Sequence, residues 1–166
     1  RPIGELVDGL AALGAQIAYD GVAGYPPLMV LARGLTGGEV VFDTPPSSQF
    51  LSAILMVAPY ARQDVLIRVE GELPSRPYVA MTIDVMRSLG VEVLENDNRF
   101  IVPAYQRYQA GEFVIEPDAS AATYLWAAAA VTGGRVRVAG LSRNSRQGDV
   151  GFVDVLAQMG CEVNAG

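Results

Sequence analysis

Ser47-Ser48-Gln49-Phe50, running into Leu51-Ser52-Ala53-Ile54-Leu55-Met56 after Pro45-Pro46, sets two hydroxyls and an amide at the start of an apolar helix. Unpaired backbone N–H groups and the positive end of the helix dipole gather at such a start, so its chemistry is anion binding, above all phosphate. A Ser there is also an ordinary N-cap. Further starts recur along the chain. Arg1-Pro2 precedes a first helix, with Pro2 suited to the first helical turn. Ser75-Arg76-Pro77-Tyr78 precedes another, with Ser75 as N-cap, and Asp118-Ala119-Ser120 and Gln147-Gly148-Asp149 precede two more. If these starts share one side of the molecule, hydroxyls, helix ends and a guanidinium converge on a cleft. Such a cleft suits a phosphorylated, carboxylate-bearing small molecule, which Arg grips in a bidentate fork. Local explanations stand beside each. Asp118 and Asp149 complement the helix dipole; Arg135 and Arg137 share one solvated strand face; Arg143 and Arg146 lie in the loop before Gly148.

The elements that must position these residues repeat. Ala12-Leu13-Gly14-Ala15-Gln16-Ile17, Ser88-Leu89-Gly90-Val91-Glu92-Val93 and Gln158-Met159-Gly160-Cys161-Glu162-Val163 each end a helix in Leu-Gly or Met-Gly and switch to alternation. Gly37-Gly38-Glu39-Val40-Val41-Phe42 and Gly133-Gly134-Arg135-Val136-Arg137-Val138 are Gly-Gly turns entering strands. Ser47–Val93 and Asp118–Val163 therefore read as two passes of helix, strand, helix, strand. The first predicts helices near 47–61 and 77–89 with strands near 64–69 and 91–95. The second predicts helices near 119–131 and 149–159 with strands near 134–138 and 161–164. Arg1–Ile17 is the back half of an earlier pass. Tyr25-Pro26-Pro27-Leu28 reads as a rigid turn into a buried strand, and segment 96–117 as two short strands and a connector. The expected class is α/β (α+β), with repeated subdomains around a shared core and a boundary near Glu116-Pro117.

Composition excludes much. The net charge of −6 argues against a general nucleic-acid or membrane-surface binder. All 12 basic residues are Arg, and there is no His, so His triads, lysine Schiff bases and the usual zinc ligand sets are out of reach within this chain. The single Cys161 cannot form an internal disulfide and reads as a small buried residue. The longest apolar stretches, Ala121–Val131 and Leu51–Pro59, are too short to span a bilayer, and no signal peptide is expected. A cytoplasmic location is expected. With 51% hydrophobic residues over 166 positions, a real core is affordable. The start at Arg1 and the stop at Gly166 suggest a piece of something longer.

Six motifs together carry a resemblance: Arg1-Pro2-Ile3-Gly4, Gly24-Tyr25-Pro26-Pro27-Leu28, Ser47-Ser48-Gln49-Phe50, Ser75-Arg76-Pro77-Tyr78, Asp118-Ala119-Ser120 and Asn144-Ser145-Arg146-Gln147-Gly148-Asp149. In this order, the chain resembles a central segment of the 5-enolpyruvylshikimate-3-phosphate synthase family. The resemblance implies two domains of repeated βαβαββ subdomains, an inside-out α/β barrel type that is incomplete here, with helix starts facing an interdomain cleft. It implies transfer of the enolpyruvyl group of phosphoenolpyruvate to the 5-hydroxyl of shikimate 3-phosphate, releasing phosphate, with no metal or organic cofactor. Carried onto this chain, Ser47, Ser48, Gln49 and Ser75 match shikimate-3-phosphate ligands. Gln49 also lies near phosphoenolpyruvate, Arg1 matches a phosphoenolpyruvate-binding Arg, and Tyr78 lines the same pocket, where glyphosate would compete. Residues 1–116 are implied to belong to the domain that holds shikimate 3-phosphate, and 117–166 to begin the other. Pro117 stands where the family usually has Gly.

The family's Lys-Ser pair and its proton-transferring acids match nothing here, so no catalytic residue is expected within this chain. The isolated chain is expected to be inactive unless the remainder of the enzyme joins it as a partner. Two alternatives stay open. The related transferase acting on UDP-N-acetylglucosamine shares the Arg-Pro-Ile start and the Leu-Gly-Ala helix end, but not Ser47-Ser48-Gln49 or Gln147-Gly148-Asp149. A non-catalytic anion-binding module on the same scaffold is the other, because binding and catalysis are separable.

Overall fold

The computed structural model describes residues 1–43 and 47–164; Pro45-Pro46, the lead-in to the Ser47 helix, lies outside the described residues. The chain divides into two compact units, Arg1–Gly111 and Glu112–Gly166.

Unit 1 runs α1 (Gly4–Ala12), β1 (Gln16–Tyr19), β2 (Leu28–Leu31), β3 (Gly38–Phe42), α2 (Ser48–Val57), β4 (Val65–Val69), α3 (Arg76–Ser88), β5 (Leu94–Asn96) and β6 (Arg99–Val102). A single 3-10 turn, Ala58–Tyr60, extends α2 where Pro59 ends the α-helical pattern. β3 pairs with β4 in parallel, from Gly38 opposite Val65 to Phe42 opposite Val69. β6 lies antiparallel to β4 and to β5, giving the sheet order β3-β4-β6-β5. The order β3-α2-β4-α3-β5-β6 is thus one complete βαβαββ unit.

Alternation along the strands puts Val40, Phe42, Val65, Ile67, Val69, Phe100 and Val102 on one buried face. Leu51, Ile54 and Leu55 of α2 and Val79, Ile83 and Met86 of α3 close the core over them. Each large aliphatic side chain taken fully out of water contributes roughly 1.5–3 kcal/mol, so this two-layer contact dominates the stability of unit 1. α1 lies on the same layer through Gly9: a Cβ there would stand 2.7 Å from Ile54 Cδ1 and 3.3 Å from Val40 Cγ1.

The three Leu-Gly or Met-Gly helix ends close identically. Ala15 N–H reaches Leu10 O at 2.9 Å, Val91 N–H reaches Met86 O at 3.0 Å, and Cys161 N–H reaches Leu156 O at 3.0 Å. Gly14, Gly90 and Gly160 supply the left-handed residue, with φ of 92°, 85° and 96°.

The fold departs from the expected secondary-structure elements in five places. Helix α1 begins at Gly4 rather than at Pro2, because Ile3 N–H is tied to Gly24 O at 2.8 Å. The strand expected at 91–95 is β5, Leu94–Asn96, only: Gln106 occupies both backbone groups of Glu92, accepting from its N–H at 2.7 Å and donating to its C=O at 3.0 Å. Arg87 Nη2 takes Val93 O at 2.6 Å, so side chains replace a ladder partner at 91–93. Segment 96–117 completes only one new strand, β6, after the end of β5. β2 is exposed rather than buried, with Met29, Val30 and Leu31 more than half exposed in a two-stranded sheet with β1.

The fifth departure is in unit 2, which holds α4 (Ala119–Thr132), a 3-10 turn (Gly148–Gly151) and α5 (Phe152–Gln158). The strands expected at 134–138 and 161–164 are absent among the described residues. A strand exists only when a neighbour completes its hydrogen bonds. β4 is ordered from both sides, by parallel β3 and antiparallel β6, whereas a lone parallel pair is the weaker arrangement. Cys161 is half-buried rather than buried.

Gly9→Val should therefore cost unit 1 about 1–3 kcal/mol through overpacking at the α1 crossing, read as a lower unfolding midpoint in urea. An unchanged midpoint would show that α1 is not seated on the α2–β3 layer.

Candidate functional site

Topology and the packing of α1 bring three helix starts to one edge of unit 1. Helix α2 leaves the C-terminal end of β3 and α3 leaves the C-terminal end of β4, and these strands are parallel neighbours. Helix α1 runs against β3: Leu13 O, at its end, accepts from Thr36 N at 2.8 Å beside the start of β3, while Gly9 sits by Val40 and Phe42. The starts of α1, α2 and α3, with Arg1, Ser47–Gln49 and Ser75–Tyr78, therefore share the edge at which β3 and β4 end.

At α2, Ser47 is extended (φ −157°, ψ 134°) and its Oγ accepts from Gln49 N–H at 3.2 Å, an ordinary N-cap. Ser48 is the one polar residue in the buried class among the described residues, at 6% exposure, while Gln49 is exposed. The helix presents no acidic residue in its first turn, so nothing of its own neutralises the positive end.

At α3, Ser75 departs from expectation. It does not cap the helix through its side chain; it sits in the left-handed region (φ 51°, ψ 44°). That conformation is costly for a residue with a Cβ. Ser75 O accepts from Tyr78 N–H at 3.0 Å, and Tyr78 is 44% exposed. Arg76, beside Pro77, is braced by Asp97 O at 2.8 Å and Asn98 Oδ1 at 3.1 Å, and Asn98 in turn donates to Gly71 O at 2.8 Å. A braced cation at a helix start opposes the dipole, and a bound anion relieves both.

The two helices are pinned near these starts. Thr82 Oγ1 donates its single proton to Tyr78 O at 2.9 Å, so in its 2.9 Å bond with Ser52 Oγ it is the acceptor. Arg1 is exposed just before α1. Asp43, at the end of β3, places a carboxylate at the same edge.

The start of α4 is different, although the sequence suggested kinship. Asp118 Oδ1 accepts from Ser120 N–H at 2.8 Å and Ala121 N–H at 3.3 Å, and Gln147 Oε1 accepts from Ala119 N–H at 2.7 Å. Ser120 Oγ bonds Asp149. With its first three N–H groups taken and two carboxylates present, this start is closed to an anion.

Gln147 is the hub that spacing did not reveal. Its Nε2 donates to Glu116 Oε2 at 2.9 Å and to Pro117 O at 2.8 Å, and Ser145 Oγ adds a 2.7 Å bond to the same carboxylate. These donors, Gln147 first, hold the Glu116 carboxyl below its ordinary value of 4.5. Ion pairing accounts for Arg143, which meets Asp154 at 2.8 Å. The missed signal was the acceptor-rich run Glu116-Pro117-Asp118 facing a lone amide.

Three measurements follow. Ser47→Ala should lose about 0.5–2 kcal/mol of unit 1 stability with the cap. Ser75→Gly should leave stability unchanged or raise it by about 1 kcal/mol, since it relieves the left-handed backbone; equal losses in both would refute the assignment of Ser47 as cap and Ser75 as non-cap. The Glu116 contribution is complete above the ordinary value and is lost as pH falls through the lowered one. Glu116→Gln should therefore flatten the acid limb of an α4 helicity titration below pH 4.5, and an unaltered limb would contradict this.

Comparison with known proteins matches the whole chain, residues 1–166, to the family model described as EPSP synthase (3-phosphoshikimate 1-carboxyvinyltransferase). A protein of that name from Marinomonas sp. (strain MWYL1) is 53% identical across the full chain, which covers 40% of the relative. One from Photobacterium damsela subsp. piscicida is 51% identical, with 39% of it covered. The fold is similar to a solved EPSP synthase from Acinetobacter baumannii, with a TM-score of 0.73 at 21% identity over 96% of this chain and 35% of that one. The chain spans about two-fifths of the length of the curated relatives it matches. It belongs to the EPSP synthase family.

Proposed function

We propose that this chain supplies the shikimate-3-phosphate-holding part of an enolpyruvyl transferase. The observation that carries this reading is the shared edge of three helix starts, two of them rich in hydroxyls and none closed by its own first-turn carboxylate except α1, where Glu5 stands. In this reading Ser47, Ser48 and Ser75 hold the phosphate, with Gln49 and Tyr78 at the sugar-like ring, and Arg1 at the carboxylate or phosphate of phosphoenolpyruvate. Residues 1–116 serve that domain and 117–166 begin the second. The cytoplasmic location expected from the sequence is part of the same proposal. No helix among the described residues is long and apolar enough to cross a membrane.

The reaction joins the 5-hydroxyl oxygen of shikimate 3-phosphate, which gives up its proton, to C2 of phosphoenolpyruvate while C3 gains a proton. Loss of phosphate from C2 and of a proton from C3 then restores the C2–C3 double bond and leaves the product as an enol ether. The residues of this chain bind and orient; none is assigned the proton transfers. Positioning alone contributes substantially to such a step, but the isolated chain should not turn over.

Calorimetric titration of shikimate 3-phosphate into the chain should show binding that Ser48→Ala and Ser75→Ala each weaken by about tenfold, the scale of one lost hydrogen bond to a charged group. UDP-N-acetylglucosamine should not bind. Absence of shikimate-3-phosphate binding, or binding indifferent to both substitutions, would sink the site assignment.

A further inference from the structure

The turn between β5 and β6 lies at the same edge as the three helix starts, because Arg99, which follows it, pairs with Arg68 near the end of β4. Asp97 turns the chain there with φ of 52°. Asn98 then grips the segment running from β4 into α3 at three points. Its backbone O accepts from Val69 N–H at 2.9 Å, its Nδ2 donates to Gly71 O at 2.8 Å, and its Oδ1 accepts from Arg76 Nη1 at 3.1 Å. Asp97 O accepts from Arg76 Nη2 at 2.8 Å. One orientation of the Asn98 amide serves both neighbours, since Gly71 O only accepts and a guanidinium only donates. Gly71 O thereby orients the amide, and the amide orients Arg76.

The chemistry of the acceptors matters as much as their placement. Arg68, Arg87 and Arg143 each meet a carboxylate. Arg76 is held instead by an amide oxygen and a backbone carbonyl, so its position is fixed while its charge is not cancelled. Glu70, on the same loop, stands 3.5 Å from Arg68. Beside the held cation is Ser75, exposed and left-handed, with no side-chain cap bond. Fixing a long side chain in advance removes an ordering cost from the binding step. A carboxylate partner would give the same rigidity and forfeit the attraction for an anion.

We propose that Asn98 is a positioning residue of the anion site: its amide holds the Arg76 guanidinium, with its charge uncancelled, beside Ser75, and Arg76 adds that charge to the hold on substrate phosphate. This inference rests on the reading of the α2 and α3 starts as the shikimate-3-phosphate site. It extends that site to a turn residue 22 positions beyond Arg76.

Calorimetric titration of shikimate 3-phosphate into the chain and its variants separates charge from scaffold. Arg76→Gln should weaken binding about fivefold in low salt, and the deficit should shrink below about twofold in about 1 M salt, where charges are screened beyond about 3 Å. Asn98→Ala should weaken binding about threefold, and should add nothing in the Arg76→Gln background, since the two act as one unit. Asn98→Asp discriminates best. It loses the bond to Gly71 O just as Asn98→Ala does and keeps an acceptor for Arg76, yet it cancels the charge. It should therefore bind more weakly than Asn98→Ala in low salt and equally in high salt. A brace that served loop structure alone would give the opposite order. Binding by Asn98→Asp as tight as or tighter than by Asn98→Ala in low salt overturns the proposal, and so does full affinity in Arg76→Gln. Arg76 is exposed, so Arg76→Gln decides the matter if the Asn98 variants misfold. Binding weakened by Ser48→Ala but by neither Arg76→Gln nor Asn98→Asp overturns the positioning role alone. Absence of binding by the unsubstituted chain overturns the phosphate site and the positioning role together.

Discussion

Parallel pairing of β3 with β4 is the constraint on which the rest of unit 1 depends. Two parallel neighbours joined by a helix must send the chain back across the sheet, so each following helix begins where its strand ended. With β3 and β4 in register from Gly38–Val65 to Phe42–Val69, the starts of α2 and α3 have no freedom to separate. Gly9 then lets α1 approach closely enough to add its own start to the same edge. The shared edge of helix starts is thus a consequence of strand direction, and the anion site proposed there needs only side chains of the right type at the right offsets.

The electrostatic contrast between the two units sharpens this. The first turn of α2 offers dipole and hydroxyls without a carboxylate, whereas Asp118, Asp149 and Gln147 consume the first turn of α4. Both starts would pass as phosphate sites by motif alone. What separates them is where each N–H group goes, and at α4 that question has a closed answer. Ser75 adds a second kind of information: its left-handed backbone and uncommitted capping role leave its hydroxyl for something other than helix stability.

Much of the scaffold was legible because local rules and tertiary fold agree. The Leu-Gly and Met-Gly ends specified a helix stop and a left-handed turn, and all three closed with the same bond. Ser47, Ser48 and Gln49 fell at the helix start that spacing required. What spacing could not carry was partnership. Residues 134–138 and 161–164 alternate as strands do, yet alternation supplies no neighbour, and among the described residues none pairs with them. Gln106 mimics a strand against Glu92, and Gln147 gathers three backbone and side-chain partners, through contacts distant in sequence. A lone amide gives no periodic signal.

The central claim is that substrate phosphate is held at the α2 and α3 starts and not at α4. Backbone amide shifts during titration with shikimate 3-phosphate test it directly. Saturating shifts confined to Ser48, Gln49, Arg76 and Tyr78, with Ala119, Ser120 and Ala121 still, are the predicted result. Movement centred on Ala119–Ala121, with α2 and α3 unmoved, would contradict it.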